Sequence, residues 1–182
     1  FLPGLVVDIY GPTAVVQEHS PGMHFARHDV ARAIVELPGL GVRNVYYNSE
    51  TTLPYKAHLD PQNTYLIGDF ETSVATENSL RFNIDWLRGQ KTGFFQRDNR
   101  DLLRRYSHGR RVLNMFCYTG GFSVYALKGD ATLVHSVDSS EKAITLTDAN
   151  VKLNFPDTDR HRSYAEDAFK FLDNMEKGAY DL

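Results

Sequence analysis

Three small stretches carry the residues whose types and spacing could do chemistry. "YTGG" places Gly120 and Gly121 together after the apolar run Val112–Cys117, where a buried strand hands over to a helix. "VDSS" ends a second apolar run in Asp138, Ser139 and Ser140. "AEDA" sets Asp167 and Ala168 after a third short run. Paired glycines admit positive φ and close backbone approach to a ligand, or they simply ease a tight turn and helix packing. Asp138 follows Gly121 at a spacing close to the ~20 residues expected between a glycine turn and a ribose-binding acid. With Ser139 and Ser140 it reads equally well as the cap of the next helix. Asp167 stands where a site residue would meet an adenine amino group, or caps a helix in its turn.

The elements that must position these residues alternate. From Arg111 onward the order is strand, helix from Gly121 to Leu127, strand 132–137, helix from Ser140 to Leu153, short strand near Tyr164, helix from Glu166 to Met175, strand from Tyr180. That grammar predicts an α/β fold with a parallel, Rossmann-like sheet covered on both faces, with 112–117 as a central strand. Ligands of such sheets collect beyond the carboxyl ends of the strands. The adjacent glycines lack the G-x-G-x-x-G spacing that cradles a pyrophosphate, which disfavours a nicotinamide or flavin cofactor. They suit S-adenosylmethionine, which has ribose, adenine and an amino-acid tail but no phosphate.

Upstream the pattern is mixed. "GLVVDIYG" and "TAVVQEH" predict a hairpin across a Gly-Pro turn, and "MHFARHDVARAIVEL" a helix closed by Pro38-Gly39. "VRNVYYN" predicts a strand, residues 50–66 a loop, and "TSVATEN" with "LRFNIDWL" two strands about Asn78-Ser79. A small α+β domain is therefore expected over 1–90 and the cofactor domain over 91–182.

Bulk properties bound the function. The chain has 182 residues, 42% hydrophobic and 24% charged, with net charge −3. It is no polycation built to coat nucleic acid, so RNA contact would need a local patch. Arg88, Lys91, Arg97, Arg100, Arg104, Arg105, Arg110 and Arg111 against Asp98 and Asp101 make such a patch, formally +6. It attracts phosphate, or it is a solvated helix face from which Leu102, Leu103 and Tyr106 turn inward to pack. A single cysteine excludes an internal disulfide and multi-cysteine zinc sites, and the scattered histidines suggest no metal. No apolar stretch of spanning length and no signal segment is present, so a cytoplasmic protein with no membrane partner is expected. The start at Phe1 and the stop within "AYDL" read as cut ends.

The segments "DWLRGQKTGFF", "QRDNR", "VLNMFCYTGGFSVYAL" and "SVDSSEKAI" resemble, in order and spacing, the S-adenosylmethionine-dependent ribosomal RNA large-subunit methyltransferases that act on carbon 5 of cytosine. The likeness runs from about Gly4 to the end. It implies a class I methyltransferase sheet, incomplete at the C-terminus, with ribosomal RNA as partner; homodimerisation stays open. By the resemblance, Tyr118, Thr119, Gly120 and Gly121 wrap the methionine end of the cofactor, Asp138 with Ser139 holds the ribose, and Asp167 with Ala168 the adenine. Gln96 and Arg97 would add cofactor contacts, Arg97 pairing with the carboxylate or, alternatively, with Asp101. Arg88, Lys91, Arg100 and Arg104 are the RNA-contact candidates.

Three departures stand out. Members carry two more residues between G-F-F and Q-R, where here Phe95 abuts Gln96. Their D-P-P segment and catalytic cysteine would lie past Leu182, and their PUA-type RNA-binding domain is missing. The catalytic residues are therefore unassigned, and the chain is expected to hold cofactor without completing the reaction. Cys117, at the end of a buried run, reads as a small hydrophobe. A nicotinamide oxidoreductase and a non-catalytic RNA-binding module are the competing functions.

Overall fold

The computed structural model describes residues 2–71, 74–87 and 97–182, excepting the side chains of Arg97 and Asp98. These fall into two compact units. Described residues within Phe1–Thr76 and Ile84–Phe94 form one, those within Glu77–Asn83 and Phe95–Leu182 the other.

The first unit is a sheet of order β1-β2-β3-β4 with one helix. β1 (Leu5–Tyr10) and β2 (Thr13–Glu18) pair antiparallel across Gly11-Pro12, as the β-branched runs predict. Ser20 then caps α1 (Pro21–Glu36) by accepting the Met23 amide, with Pro21 in the first turn where its missing N–H costs nothing. β3 (Asn44–Tyr47) runs parallel to β2, and β4 (Thr64–Ile67) antiparallel to β3. The α1 crossover buries Ala31 and Ile34 against Ala14, Val16, Val42 and Val45. A second layer is aromatic: Trp86, 2% exposed, stacks on Tyr10 and donates its indole N–H to the Tyr65 hydroxyl at 3.2 Å. Residues 50–66 are not all loop. They hold a 3-10 turn at Tyr55–Ala57 and the start of β4, a strand too short for its alternation to stand out.

Asn78 and Ser79 both have positive φ (49° and 65°), the geometry of a tight hairpin turn between β5 (Val74–Glu77) and β6 (Leu80–Asn83). β6 groups with the second unit, and side chains of a later helix explain why. Asn150 Oδ1 accepts the Asn83 amide at 2.7 Å, and Asn154 both accepts the Arg81 amide and donates to the Arg81 carbonyl. The strand's edge is thus paired by asparagine side chains, and Phe82, fully buried, stacks on Tyr125.

The second unit alternates as expected: α2 (Arg97–Tyr106), β7 (Arg111–Met115), α3 (Gly121–Lys128), β8 (Leu133–Asp138), α4 (Glu141–Asn154), β9 (His161–Ala165) and α5 (Ala168–Asp173). The strands form a parallel sheet of order β7-β8-β9. On the other side of β7, the Leu113 amide donates to the Leu182 carbonyl at 2.9 Å and the Asp181 amide to the Arg111 carbonyl at 2.9 Å. β7 therefore has backbone partners on both sides, the central place its apolar character predicts. This is the Rossmann-like parallel α/β arrangement that the alternation predicts.

Candidate cofactor site

Strand register decides what the chemistry-bearing residues share. Met115 pairs with Val137 and Asp138 with Ala165, so the parallel strands finish level. The loop 116–120, Asp138 to Ser140, and Glu166 to Ala168 consequently leave from one edge of one sheet.

Within the first loop the backbone is held hard. Phe116, Tyr118 and Gly120 alternate in left-handed conformations (φ 55°, 50° and 71°). Two aromatic residues in that region cost on the order of 1–3 kcal/mol each, which persists only where surroundings impose it. Here they do: the Cys117 amide donates to the Val137 carbonyl at 3.1 Å, Thr147 Oγ1 donates to the Tyr118 carbonyl at 3.0 Å, and Asn150 Nδ2 to the Thr119 carbonyl at 2.8 Å. The sequence reading missed Thr147 and Asn150. Both face inward from a helix whose amphipathic pattern does not distinguish them from ordinary polar positions.

The glycine pair answers mainly to packing. A Cβ on Gly120 would fall 2.6 Å from Thr147 Cγ2, and one on Gly121 would fall 3.3 Å from Arg100 Cδ. The close neighbours these glycines admit are thus α4 and α2, the alternative raised from sequence.

Asp138 is half-buried at the tip of β8. Its Oδ2 accepts the Tyr118 amide and its Oδ1 the Ser140 amide, each at 3.0 Å. Ser140, not Asp138, caps α4 by accepting the Ala143 amide, and Ser139 is exposed. Each carboxylate oxygen so spends one acceptor site on backbone and keeps a second. Asp167 takes the capping role that sequence offered as an alternative: Oδ1 accepts the Phe169 and Lys170 amides, both at 3.0 Å. Asp167 itself is exposed and Ala168 is buried.

Two further residues at this edge had no sequence signal beyond being aromatic. Phe116 and Phe169 are 67% and 69% exposed, and their rings meet edge to face with centroids 6.5 Å apart. Large apolar side chains left in water beside polar groups mark a surface that something else covers.

Cys117 is buried, and burial pushes its thiol up to about 11, so at neutral pH it is no nucleophile. A serine, histidine and aspartate also line up beneath the sheet, Ser136 Oγ lying 2.8 Å from His161 Nε2 and His161 Nδ1 3.9 Å from Asp148. Ser136 is fully buried and shares a 2.6 Å bond with Ser123, which leaves this chain a structural network.

The basic patch needs correcting. Arg100 is turned inward, 3% exposed, with its Nη1 2.9 Å from Glu77 Oε2, an oxygen that also accepts the Tyr125 hydroxyl. Burial withdraws it from any phosphate. Arg104 and Arg105 are both paired with Asp101, at 2.7 and 2.9 Å, and Arg111 with Asp181 at 3.0 Å. The alternative of a solvated face with Leu102, Leu103 and Tyr106 turned inward fits only Leu103, which is half-buried, since Leu102 and Tyr106 are 50% and 57% exposed. Arg88, Lys91 and Gln96, the Arg97 side chain and the Phe95-Gln96 junction lie outside the described residues. Among the described residues no histidine, cysteine or carboxylate group could hold a metal ion, and no helix is long and apolar enough to cross a membrane.

Comparison with known proteins places this geometry. A protein 38% identical over 176 residues is the ribosomal RNA large subunit methyltransferase I of Tolumonas auensis, the match covering 94% of this chain and 44% of that one. The protein of the same name from Aeromonas hydrophila is 39% identical over 183 residues, covering 97% and 46%. The chain thus spans less than half the length of these relatives. Among solved structures, a Streptococcus mutans protein assigned to the SAM-dependent methyltransferases superposes with TM-score 0.77 at 24% identity, over 93% of this chain and 44% of that one. The tRNA m1G37 methyltransferase of M. jannaschii gives 0.65 at 19%, over 91% and 50%. A family profile matches residues 47–182, the span that contains the level strand tips, the strained loop and Asp138, and by that match the chain belongs to the S-adenosylmethionine-dependent methyltransferase family.

Proposed function

We propose that residues 97–182 form the cofactor-holding part of an RNA methyltransferase, and that the whole protein methylates carbon 5 of a cytosine in large-subunit ribosomal RNA. The observation that carries the cofactor reading is Asp138. Its carboxylate is fixed by two backbone amides, yet keeps an acceptor site on each oxygen, which fits the paired hydroxyls of a ribose. Phe116 and Phe169 offer apolar faces on which an adenine would rest, with the Ala168 region beneath it. The Tyr118 to Gly121 loop would meet the amino-acid tail, with Ser139, Asp167, Gln96 and Arg97 as further contacts. The bound cofactor supplies an electrophilic methyl group on sulfonium; this chain's residues orient it and exclude water from one side.

The RNA substrate is supported by the names of the relatives, and the cytosine by the motif resemblance. Carbon 5 of a pyrimidine is a weak nucleophile until a thiolate adds at carbon 6. Cys117 does not meet that need, because a buried thiol held near 11 is protonated. The reading therefore assigns the thiolate to the part of the whole protein outside this chain, and to residues 1–90 a share in presenting RNA in the cytoplasm. Arg104, half-exposed, stays in the RNA-contact set, as do Arg88 and Lys91. The test is nucleoside mass spectrometry of ribosomal RNA treated with the whole protein and methyl-labelled cofactor. Label in 5-methylcytidine supports the reading; label only in another nucleoside overturns the cytosine assignment.

A further inference from the structure

The first unit holds a polar cavity that the cofactor site does not use. His24, Arg27 and His28 stand at i, i+3 and i+4 on α1, and so share a face. With Tyr47 at the end of β3, the Asp60–Gln62 loop and Thr64, Tyr65 and Leu66 on β4 they line an open cleft of about 340 Å³. That is at the lower end of the roughly 300–1,000 Å³ typical of small-molecule sites. The unit's apolar core lies elsewhere on the same helix, at Ala31 and Ile34. The polar face of α1 therefore lies apart from its packed face, and Leu66 alone joins the cavity to that core.

Behind the cavity wall sits Glu18. Its side chain is fully buried, and the Tyr47 hydroxyl approaches its carboxyl without a well-formed hydrogen bond to either oxygen. His24 Nδ1 lies 3.8 Å from Glu18 Oε2 and 2.6 Å from the Tyr47 hydroxyl. A buried carboxyl so weakly partnered is destabilising, and an apolar residue of similar size would remove the cost. Such groups concentrate where a protein binds or reacts. Here the carboxylate backs the inner edge of an imidazole that lines the cavity.

The lining then sorts into two ends. Arg27 is steadied by a 2.8 Å bond from Nη1 to the His24 carbonyl, and its guanidinium stands with the His24 and His28 imidazoles at one end as hydrogen-bond donors. Asp60, Gln62 and Thr64 provide mixed donors and acceptors. Asp60 would repel a bare anion but accepts well from an exocyclic amine. Base-edge recognition of unstacked nucleotides in RNA takes this form.

We propose that this cavity binds one unpaired ribonucleotide of the RNA substrate, its phosphate at Arg27, His24 and His28 and its base edge at Asp60, Gln62 and Thr64. The site rests on the reading of the whole protein as an RNA enzyme. Bases with an exocyclic amine are favoured over uracil because that amine donates to Asp60 from the base edge, where uracil has only a ring N–H between two carbonyl oxygens.

The experiment is calorimetric titration of the 182-residue chain with CMP, AMP, GMP, UMP and inorganic phosphate, with S-adenosylhomocysteine titrated separately. CMP, AMP or GMP should bind more tightly than UMP and phosphate, and Arg27→Ala or Gln62→Ala should weaken that binding about tenfold, equivalent to about 1.4 kcal/mol. Neither change should alter S-adenosylhomocysteine affinity. No nucleotide binding at millimolar concentration by a chain that binds S-adenosylhomocysteine overturns the site and leaves the methyltransferase reading standing. Phosphate binding as tightly as CMP, or unchanged CMP affinity in both variants, also overturns it. Nucleotide binding by a chain that ignores S-adenosylhomocysteine supports the site and counts against the methyltransferase.

Discussion

The Asp138 carboxylate accepts the backbone amide of Tyr118, 20 residues earlier, at 3.0 Å. One side chain at the tip of β8 thereby fixes the loop that leaves β7. The same carboxylate anchors the start of α4 through the Ser140 amide. Loop, strand tip and helix start are set by one group whose removal should be felt at all of them.

Gly120 and Gly121 should differ sharply on substitution by alanine. At Gly120 the new Cβ meets Thr147 at 2.6 Å from a backbone with φ 71°, so strain and overpacking combine. A loss of about 2–4 kcal/mol is expected. At Gly121 the nearest atoms belong to the flexible Arg100 side chain at 3.3 Å, and the alanine then lies in a helix, so the loss should stay below about 1 kcal/mol. Urea denaturation of the two variants measures the difference.

Arg100 and Arg104 should also separate, although both are arginines of one helix. Arg100→Ala leaves Glu77, whose side chain is 13% exposed, without its cation. Breaking such a buried pair costs about 3–5 kcal/mol. Arg104→Ala removes a partly exposed i,i+3 pair with Asp101 and should cost less than about 1 kcal/mol. Equal losses in thermal unfolding would contradict the inward placement of Arg100.

Glu18 makes stability depend on pH in a direction opposite to that of an ion-paired acid. Burial raises its carboxyl to about 7, against the pull of the Arg27 charge and the Tyr47 hydroxyl. The folded state therefore binds the proton more tightly than the unfolded chain does. Stability is fullest below the ordinary value of 4.5 and is lost as pH rises through about 7. The shift bounds the effect at about 3 kcal/mol. His24, lowered by its burial and by Arg27, works the other way and destabilises as pH falls. Glu18→Gln isolates the first effect: its melting temperature should exceed that of the unsubstituted protein more at pH 8 than at pH 5. A constant difference across that range would contradict it.

Local rules carried the reading of residues 111–175 well, because each element there announces itself in its own sequence. The apolar strands are continuous, Ser140 caps where a cap is expected, and the helices begin within two residues of their predicted starts. Where partners lie far away, local rules failed. Arg100 is buried because Glu77, 23 residues earlier, waits for it, and no spacing within "QRDNRDLLRRY" says so. β6 joins the second unit through Asn150 and Asn154, more than 60 residues on. β4 was hidden by its four-residue length among prolines and polar residues. The exposed pair Phe116 and Phe169 shows only once the loop after β7 and the first turn of α5 meet at one sheet edge, since each alone looks like a core residue.

The most direct measurement is calorimetric titration of S-adenosylhomocysteine into the unsubstituted protein and into Asp138→Ala. The unsubstituted protein should bind, and the variant should lose at least about tenfold in affinity, or 1.4 kcal/mol, while keeping its circular dichroism spectrum. Undiminished affinity in a folded variant would contradict the placing of the cofactor's ribose at the tip of β8.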